Sequence, residues 1–453
     1  MAKNKPKSDK SDTDPPDAPP PGGAAGDGLT TGRYIIIFKD EAVDDPAAAK
    51  ALLSDVAGIR EVGVASDYAE SAVAADDLAD AEAMYFPTLG IAVVSGEPTA
   101  LQAMSASTAE ADSPILAIEP EYLAFARHAL GASQLDYLRG YKSAVDHLIA
   151  QLTEGGDSAE LAEVPAAGFV DTPQFTWGLQ ATRVTSSRFN GQGVKVAVLD
   201  TGLDLQHPDF QGRAVVSRSF IPGQAVQDGN GHGTHCIGTA CGPRQPAGVR
   251  RYGVAFGASI FVGKVLSNQG SGSTAGIVAG IEWAVTSGCR VISMSLGADI
   301  DQKLQQYEVP IQRALNAGSL VVAAAGNNAN RPANPGFVGA PANADAALAV
   351  AALDGQLQVA RFSARSSSIT GVGGRVNVAG PGVGVFSSLP VARGRHGSLN
   401  GTSMATPHVA GIAALWCQAT GAIGAALANR LLQSARPLGQ TADLGAGLVQ
   451  APQ

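Results

Sequence analysis

The sequence predicts an α/β fold in which a mainly parallel sheet lies between two layers of helices, preceded by a smaller α+β unit. Three observations lead there. In the second half of the chain, short apolar runs (Val194 to Leu199, Ile260 to Leu266, Val291 to Ser295, Leu320 to Ala325, Leu348 to Ala352 and Val376 to Val378) are separated by helical patterns, notably after His232 and from Thr274 to Ser287. Such runs mark strands covered by helices on both faces of a parallel sheet. The composition, 45% hydrophobic with 55 glycines and 5% aromatics, suits close packing of helices on that sheet. Between Arg33 and Ala126 a strand, helix, strand pattern occurs twice over, which is a ferredoxin-like arrangement.

Four segments of the 453-residue chain differ in character. Residues 1–32 are rich in Lys, Asp, Pro and Gly and nearly free of large apolar residues, as a disordered tail is. Its basic start has no apolar core behind it, so it does not read as a secretory signal peptide. The expected location is the cytoplasm, or outside the cell by a non-classical route. In residues 33–126, Tyr34 to Phe38 reads as a strand, Pro46 to Val56 as a helix and Ile59 to Val64 as a strand. Leu89 to Val94 gives a third strand, Pro98 to Met104 a second helix, and Ile115 to Phe125 a closing strand interrupted by Pro120. Residues 127–172 form a linker with an amphipathic helix over 133–153. Its apolar face (Leu135, Leu138, Tyr141, Val145, Leu148, Ile149, Leu152) calls for docking within the same chain, and Arg139 and Lys142 are too few basic residues for a membrane surface. Residues 173–453 hold the parallel-sheet unit.

Some classes of function are disfavoured at once. No run of about 18 apolar residues occurs, so no membrane-spanning helix is expected, and the net charge of −9 speaks against a nucleic-acid partner. The cysteines, Cys236, Cys241, Cys289 and Cys417, lack metal-site spacing. Cys236 and Cys241 fall on different faces of one predicted helix, so buried, reduced thiols are expected.

Ligands of parallel α/β sheets bind beyond the carboxyl ends of the strands, so the residues that follow the apolar runs are the place to look for chemistry. Asp200 directly follows Lys195 to Leu199. An ionised acid there is costly unless it is paired, which a histidine would do, and an acid that only caps the next turn fits equally well. In Asp228-Gly-Asn-Gly-His232-Gly-Thr-His235, His232 is flanked by glycines at a helix start and is placed to project into a cleft. His235, one turn in, fits a packed helix histidine, and the pair does not match a zinc motif. Asn327 ends a small-residue strand and can donate to a developing oxyanion or cap a turn. Ser403 stands where NGTSMATPHVAGIAALW passes from a loose turn into an apolar helical pattern, with Pro407 expected in the first turn. Its hydroxyl there suits a nucleophile that passes through an anion, and equally an ordinary N-cap.

Together these segments resemble the catalytic domain of the subtilisin-like serine proteases, the subtilase family, over about Pro173 to Gln450. The matching motifs are VAVLDTGLD around Asp200, HPDF at His207 to Phe210, NGHGTHCIGT around His232, GIEWA at Gly280 to Ala284, ISMSLG at Ile292 to Gly297, AAAGN ending at Asn327, and GTSMATPHVAG around Ser403. The Asp, His, Ser chain order is that of subtilisin itself. The resemblance implies a subtilisin-like three-layer sandwich and a serine endopeptidase. Ser403 would be the nucleophile, His232 the base and then acid, Asp200 the residue that orients His232, and Asn327 with the Ser403 N–H the oxyanion donors.

The same resemblance implies an extended peptide bound between Gly270-Ser271-Gly272 and Ser295-Leu296-Gly297. Ala324, Ala325 and Gly339 would wall the primary specificity pocket, and with no charge among them an uncharged, medium-to-large apolar side chain is expected. Asp209 matches a ligand of the family's strong calcium site. The loop from Gly242 to Tyr252, however, lacks the usual asparagine and carries Arg244, Arg250 and Arg251, which would oppose a cation, so no cofactor is expected to be required. The unit at 33–126 resembles an inhibitor-type propeptide, which implies a zymogen; the expected maturation cut is near Ala126 to Gly131. Expected partners are polypeptide substrates and the chain's own propeptide, with no nucleic acid and no membrane, in a monomer. The alternative is a catalytically silent or permanently autoinhibited subtilase fold that binds peptides. An α/β ester hydrolase would need a G-x-S-x-G elbow and the order Ser, acid, His, and neither is present.

Overall fold

The computed structural model describes residues 29–40, 46–57, 59, 61–95, 113–126, 168–367 and 374–453. The predicted tail up to residue 28, the helix expected at Pro98 to Met104 and the linker helix expected at 133–153 lie outside the described residues.

The N-terminal unit is built from β1 (Thr30–Phe38), α1 (Pro46–Ala57), β2 (Val62–Val64), β3 (Ala83–Phe86), β4 (Ile91–Val94) and β5 (Ile115–Ala126). β1 pairs antiparallel with β5 on one side and β4 on the other, β4 pairs antiparallel with β3, and the short β2 runs parallel to β3 at the far edge. The apolar run Ile35-Ile36-Ile37-Phe38 is buried on both faces. Ile36 and Phe38 pack with Ala49 and Leu53 of α1, while Ile35 and Ile37 join the core of the larger unit. Where the sequence suggested one strand from Leu89 to Val94, a hairpin of β3 and β4 is found; four residues are too few for β3 to show an alternation. β2 keeps only the last three residues of the expected Ile59 to Val64.

The larger unit contains β6 (Lys195–Asp200), β7 (Val215–Ser219), α2 (His232–Cys241), β8 (Ser259–Lys264), β9 (Ser271–Ser273), α3 (Thr274–Thr286), β10 (Val291–Met294), β11 (Leu296–Gly297), α4 (Gln305–Asn316), β12 (Leu320–Ala324), β13 (Leu348–Leu353), β14 (Val378–Pro381), β15 (Val385–Ser388), β16 (His396–Leu399) and α5 (Thr402–Thr420). Its main sheet has the order β14-β13-β12-β10-β6-β8-β7 and every pairing is parallel. Alternate residues face opposite layers. Val196 and Val198 pack in the core with Ile237 of α2 and Val409 and Ile412 of α5, whereas Ala197 and Leu199 pack with Ile277 and Ile281 of α3 and Ile311 of α4. The result is a three-layer α/β sandwich. β7 escaped the sequence pattern because it is an edge strand whose Val216, Ser217 and Arg218 are exposed, with no buried face on both sides to make an apolar run.

β5 joins the two units. Its first half pairs with β1; its last residues leave that sheet and pair with β9 (Leu123 with Ser273, Ala124 with Gly272, Phe125 with Ser271) and with β11 (Phe125 with Gly297, Ala126 with Leu296). Pro120 does not interrupt the strand. It sits beside the register shift between Tyr34 and Thr30, where β5 changes partners and a ladder N–H can be spared. Two carboxylates of β5 cap helices of the larger unit. Glu119 accepts the Gln305 and Gln306 N–H groups at 2.8 and 2.9 Å at the start of α4, and Glu121 accepts the Ala275 N–H at 2.8 Å at the start of α3. Anions at helix N-termini meet unsatisfied donors and the positive end of the dipole. Arg313 of α4 reaches back to the carbonyls of Phe38, Leu89 and Gly90.

Glu121 is fully buried and also pairs with Arg33 at 2.8 Å. Glu121→Ala should therefore cost about 2–3 kcal/mol by leaving Arg33 and the start of α3 without their partner. The expected readout is a lower thermal midpoint; an unchanged midpoint would contradict it.

Candidate active site

Asp200 is the last residue of β6, at the carboxyl end of the main sheet. Its Oδ1 accepts the Thr201 N–H at 2.7 Å and lies 2.7 Å from Nδ1 of His232, and both side chains are buried. His232 is the first residue of α2 and follows Gly231, whose φ of 99° requires the freedom of glycine. The turn before it is fixed by Asp228. That carboxylate accepts from Asn230 N–H, Gly231 N–H and Thr201 Oγ1 through one oxygen, and from the N–H and hydroxyl of Thr234 through the other. Thr201 Oγ1 in turn accepts the Gly233 N–H at 2.8 Å. Asp228 thus locks the histidine turn to the strand end that carries Asp200. Sequence reading passed over this role, although an acid just ahead of a Gly-rich helix start is a capping signal.

Burial works against a charged imidazole at His232, but the adjacent Asp200 carboxylate, helped by Cys236, outweighs it and holds the His232 proton well above the ordinary value. The other two histidines of the motifs are packed. His235 bonds the Val385 carbonyl and His408 bonds the Met404 carbonyl, each at 2.9 Å, and burial pushes them down to about 3 and about 4. All four cysteines are free and buried, as expected.

Ser403 is the second residue of α5. Pro407 lies inside that helix, not in the first turn as the sequence suggested. A helical proline has no N–H for the carbonyl four residues earlier, so the Ser403 carbonyl is released from the helix ladder. It accepts instead from Ser295 Oγ at 2.8 Å and from Cys236 Sγ at 3.5 Å. In the other direction, Ser403 Oγ donates to the Ser295 carbonyl at 3.1 Å. Asn327 is tied to the same helix start: its Oδ1 accepts both the N–H and the hydroxyl of Thr402 at 2.9 Å, which leaves Nδ2 as the donor branch of the amide.

The two predicted cleft edges face each other across β5. Ser271 and Gly272 pair with it from β9, Leu296 and Gly297 pair with it from β11, and the Gly270 carbonyl accepts the Ala126 N–H at 2.7 Å. Ala324, Ala325 and Gly339 line one small pocket together with Gly297 and Thr402. Those three residues carry no charge, and Asp299 lines the pocket beside them. This residue lies just past the Ser-Leu-Gly edge, outside the motif, and is carried to the pocket by the turn after β11.

Residues 191–447 match the subtilase family. The chain belongs to that family. It is similar to Subtilisin DY of Bacillus licheniformis (39% identical over 273 residues, 60% of this chain and 94% of that one). It is also similar to Subtilisin Savinase of Lederbergia lenta (41% over 280 residues, 61% and 96%) and to Subtilisin E of Bacillus subtilis strain 168 (38% over 280 residues, 60% and 68%). The subtilase is accordingly a subtilisin-like serine endopeptidase.

The family's calcium position can be tested on this chain's own donors. Asp209 Oδ2 accepts the Tyr252 hydroxyl and lies 2.8 Å from His396 Nε2, and Oδ1 accepts the Ala247 N–H at 3.4 Å. Burial raises such a carboxyl, but these bonds outweigh it and leave Asp209 below the ordinary value. Nearby carbonyls of the flanking segments are also taken, Cys241 by Arg213 and Gly253 and Val254 by Arg251. Calcium needs six to eight oxygen ligands with free lone pairs. Here the carboxylate meets hydrogen-bond donors, and the residues present do not fit the ion. A chelator is therefore expected to leave the thermal midpoint of the Ser403→Ala chain unchanged, whereas Tyr252→Phe lowers it. A midpoint that rises with added calcium would contradict this.

Proposed function

We propose that this subtilase cleaves polypeptides through Asp200, His232 and Ser403, and that it is made as a zymogen whose N-terminal unit occupies its own cleft. The observation that supports the first part most directly is the 2.7 Å bond between His232 Nδ1 and Asp200 Oδ1. A carboxylate on Nδ1 fixes the tautomer that leaves Nε2 to take a proton. Ser403 Oγ then attacks the peptide carbonyl carbon as its proton passes to His232. The tetrahedral oxyanion accepts hydrogen bonds from Asn327 Nδ2 and the Ser403 N–H. Collapse breaks the C–N bond, His232 hands its proton to the leaving amine, and water, deprotonated by the same histidine, releases the acyl group from Ser403.

The second part rests on β5. It lies between the two cleft edges as an antiparallel strand, the arrangement in which a substrate would be bound. Ala126 stands opposite Leu296, one residue from Ser295, whose carbonyl is 3.1 Å from Ser403 Oγ. The residue presented to the serine is then the one just beyond Ala126, and the bond to be cut is the one that follows it.

The deciding experiment pairs labelling of Ser403 by a fluorophosphonate probe with cleavage of casein. Both are expected, and both should vanish in Ser403→Ala. Labelling without casein cleavage would contradict an endopeptidase, and neither would favour the silent peptide-binding fold. Asn327→Ala should lower kcat by roughly 10² to 10³, a magnitude that comes from subtilisin itself and not from this chain's geometry. Because the base must be neutral, the raised His232 places the acid limb of kcat/KM above the ordinary histidine value of 6.5, which a pH–rate profile checks.

Glu282 of α3 gives the zymogen contact its own pH dependence. Its Oε1 accepts the Thr88 N–H of the N-terminal unit at 3.2 Å, and burial pushes its carboxyl up to about 7 from 4.5. The part of that rise contributed by the N-terminal unit favours the docked state fully at low pH and is lost by about pH 7. The cut N-terminal unit should therefore dissociate more readily at alkaline pH, and Glu282→Gln should flatten that dependence in an inhibition assay.

A further inference from the structure

Building on the protease reading above, we propose that the primary specificity pocket takes a basic side chain and that Asp299 is the residue that recognises it. Gly297, Ala324, Ala325 and Gly339, which line the pocket, carry little or no side chain, and the methylene stem of a long side chain would run along the alanines at its mouth. Asp299 is exposed, lines the same pocket, and its carboxylate is held in place, because Asn328 Nδ2 donates to Asp299 Oδ1 at 2.9 Å. Asn328 is in turn anchored on the backbone of Phe337, donating to its carbonyl and accepting its N–H, both at 3.0 Å. The residue that holds the charge in place is therefore next in sequence to Asn327. A carboxylate accepts from several donors at once, and a guanidinium matches it in shape as well as charge.

The strand register supplies an independent observation. Phe125 is opposite Gly297 and Ala126 is opposite Leu296, so a substrate residue one further along stands opposite Ser295, beside Ser403. That residue presents its side chain to the pocket. In this chain the residue after Ala126 is Arg127, so an enzyme that cuts itself just beyond β5 is offered an arginine by its own sequence. Because Asp299 is exposed, solvent screens the pair, and the preference should be modest, about fivefold.

The test compares two peptides identical except for arginine or citrulline before the scissile bond; citrulline keeps the length and removes the charge. The expected result is a kcat/KM about fivefold higher for arginine. The ratio should fall toward one in Asp299→Asn, where the amide oxygen still accepts from Asn328. In the unsubstituted protein it should also shrink as salt is raised, a readout independent of the variant's folding. Equal rates for the two peptides, or a preference that survives both Asp299→Asn and high salt, would overturn the assignment. A protein that cuts casein but shows no preference overturns the pocket assignment alone, whereas one that cuts nothing overturns the protease reading beneath it.

Discussion

The site depends first on a carboxylate placed at the end of a buried strand. Asp200 is fully buried, and a charge in that position is tolerated only when it is paired and hydrogen-bonded. The Thr201 N–H supplies one bond and His232 the other, both at 2.7 Å to the same oxygen. The histidine can be there only because α2 starts where it does, and that start is dictated by Gly231 and by the bonds gathered at Asp228. The three-layer sandwich thus has a direct role in the site. Parallel pairing of β6 with β8 and β10 fixes the level at which Asp200 emerges, and the helices that cover the sheet carry the groups that meet it.

A second constraint links β11 to Ser403. Pro407 removes one bond from α5, and the carbonyl it releases is that of Ser403. Ser295 takes up that carbonyl through its hydroxyl and receives the Ser403 hydroxyl at its own carbonyl. The residue before β11 therefore touches Ser403 twice, and β11 is one of the two edges on which an extended chain pairs. Backbone contacts made by a bound strand are in this way rigidly coupled to the position of the serine, as a reaction that needs its atoms aligned within fractions of an ångström requires. β5 lies along the same edges, and it is anchored outside the cleft by Glu119 and Glu121, while Arg313 holds β1 and the β3–β4 turn of the same unit. A segment held outside the cleft as well as within it can remain where a free peptide would leave.

Much of this was legible in the residues. The runs that became β6, β8, β10, β12 and β13 are apolar on both faces because helices cover both faces, and so they stand out in the sequence. β7 is an edge strand with exposed Val216, Ser217 and Arg218, and β3 is four residues long, so neither leaves a periodic trace. Asp200 and His232 lie in motifs and the structure brings them into contact; Asp228 carries a local capping signal, whereas Asp299 does not announce itself, because what it does depends on a loop whose path is set by tertiary contacts. Asp209 shows the limit of carrying a position over from relatives. The residue is present, but Tyr252 and His396, distant in sequence, have turned its surroundings from lone pairs into donors.

The central claim, that Ser403 is a working nucleophile aimed at the chain's own β5 end, is tested most directly by intact mass and N-terminal sequencing of the purified full chain over time. The account predicts that the protein splits just beyond β5, after Arg127, while the Ser403→Ala chain stays whole under the same conditions. A wild-type chain that remains full length while it hydrolyses peptides, or a Ser403→Ala chain that is cut at the same bond at the same rate, would contradict it.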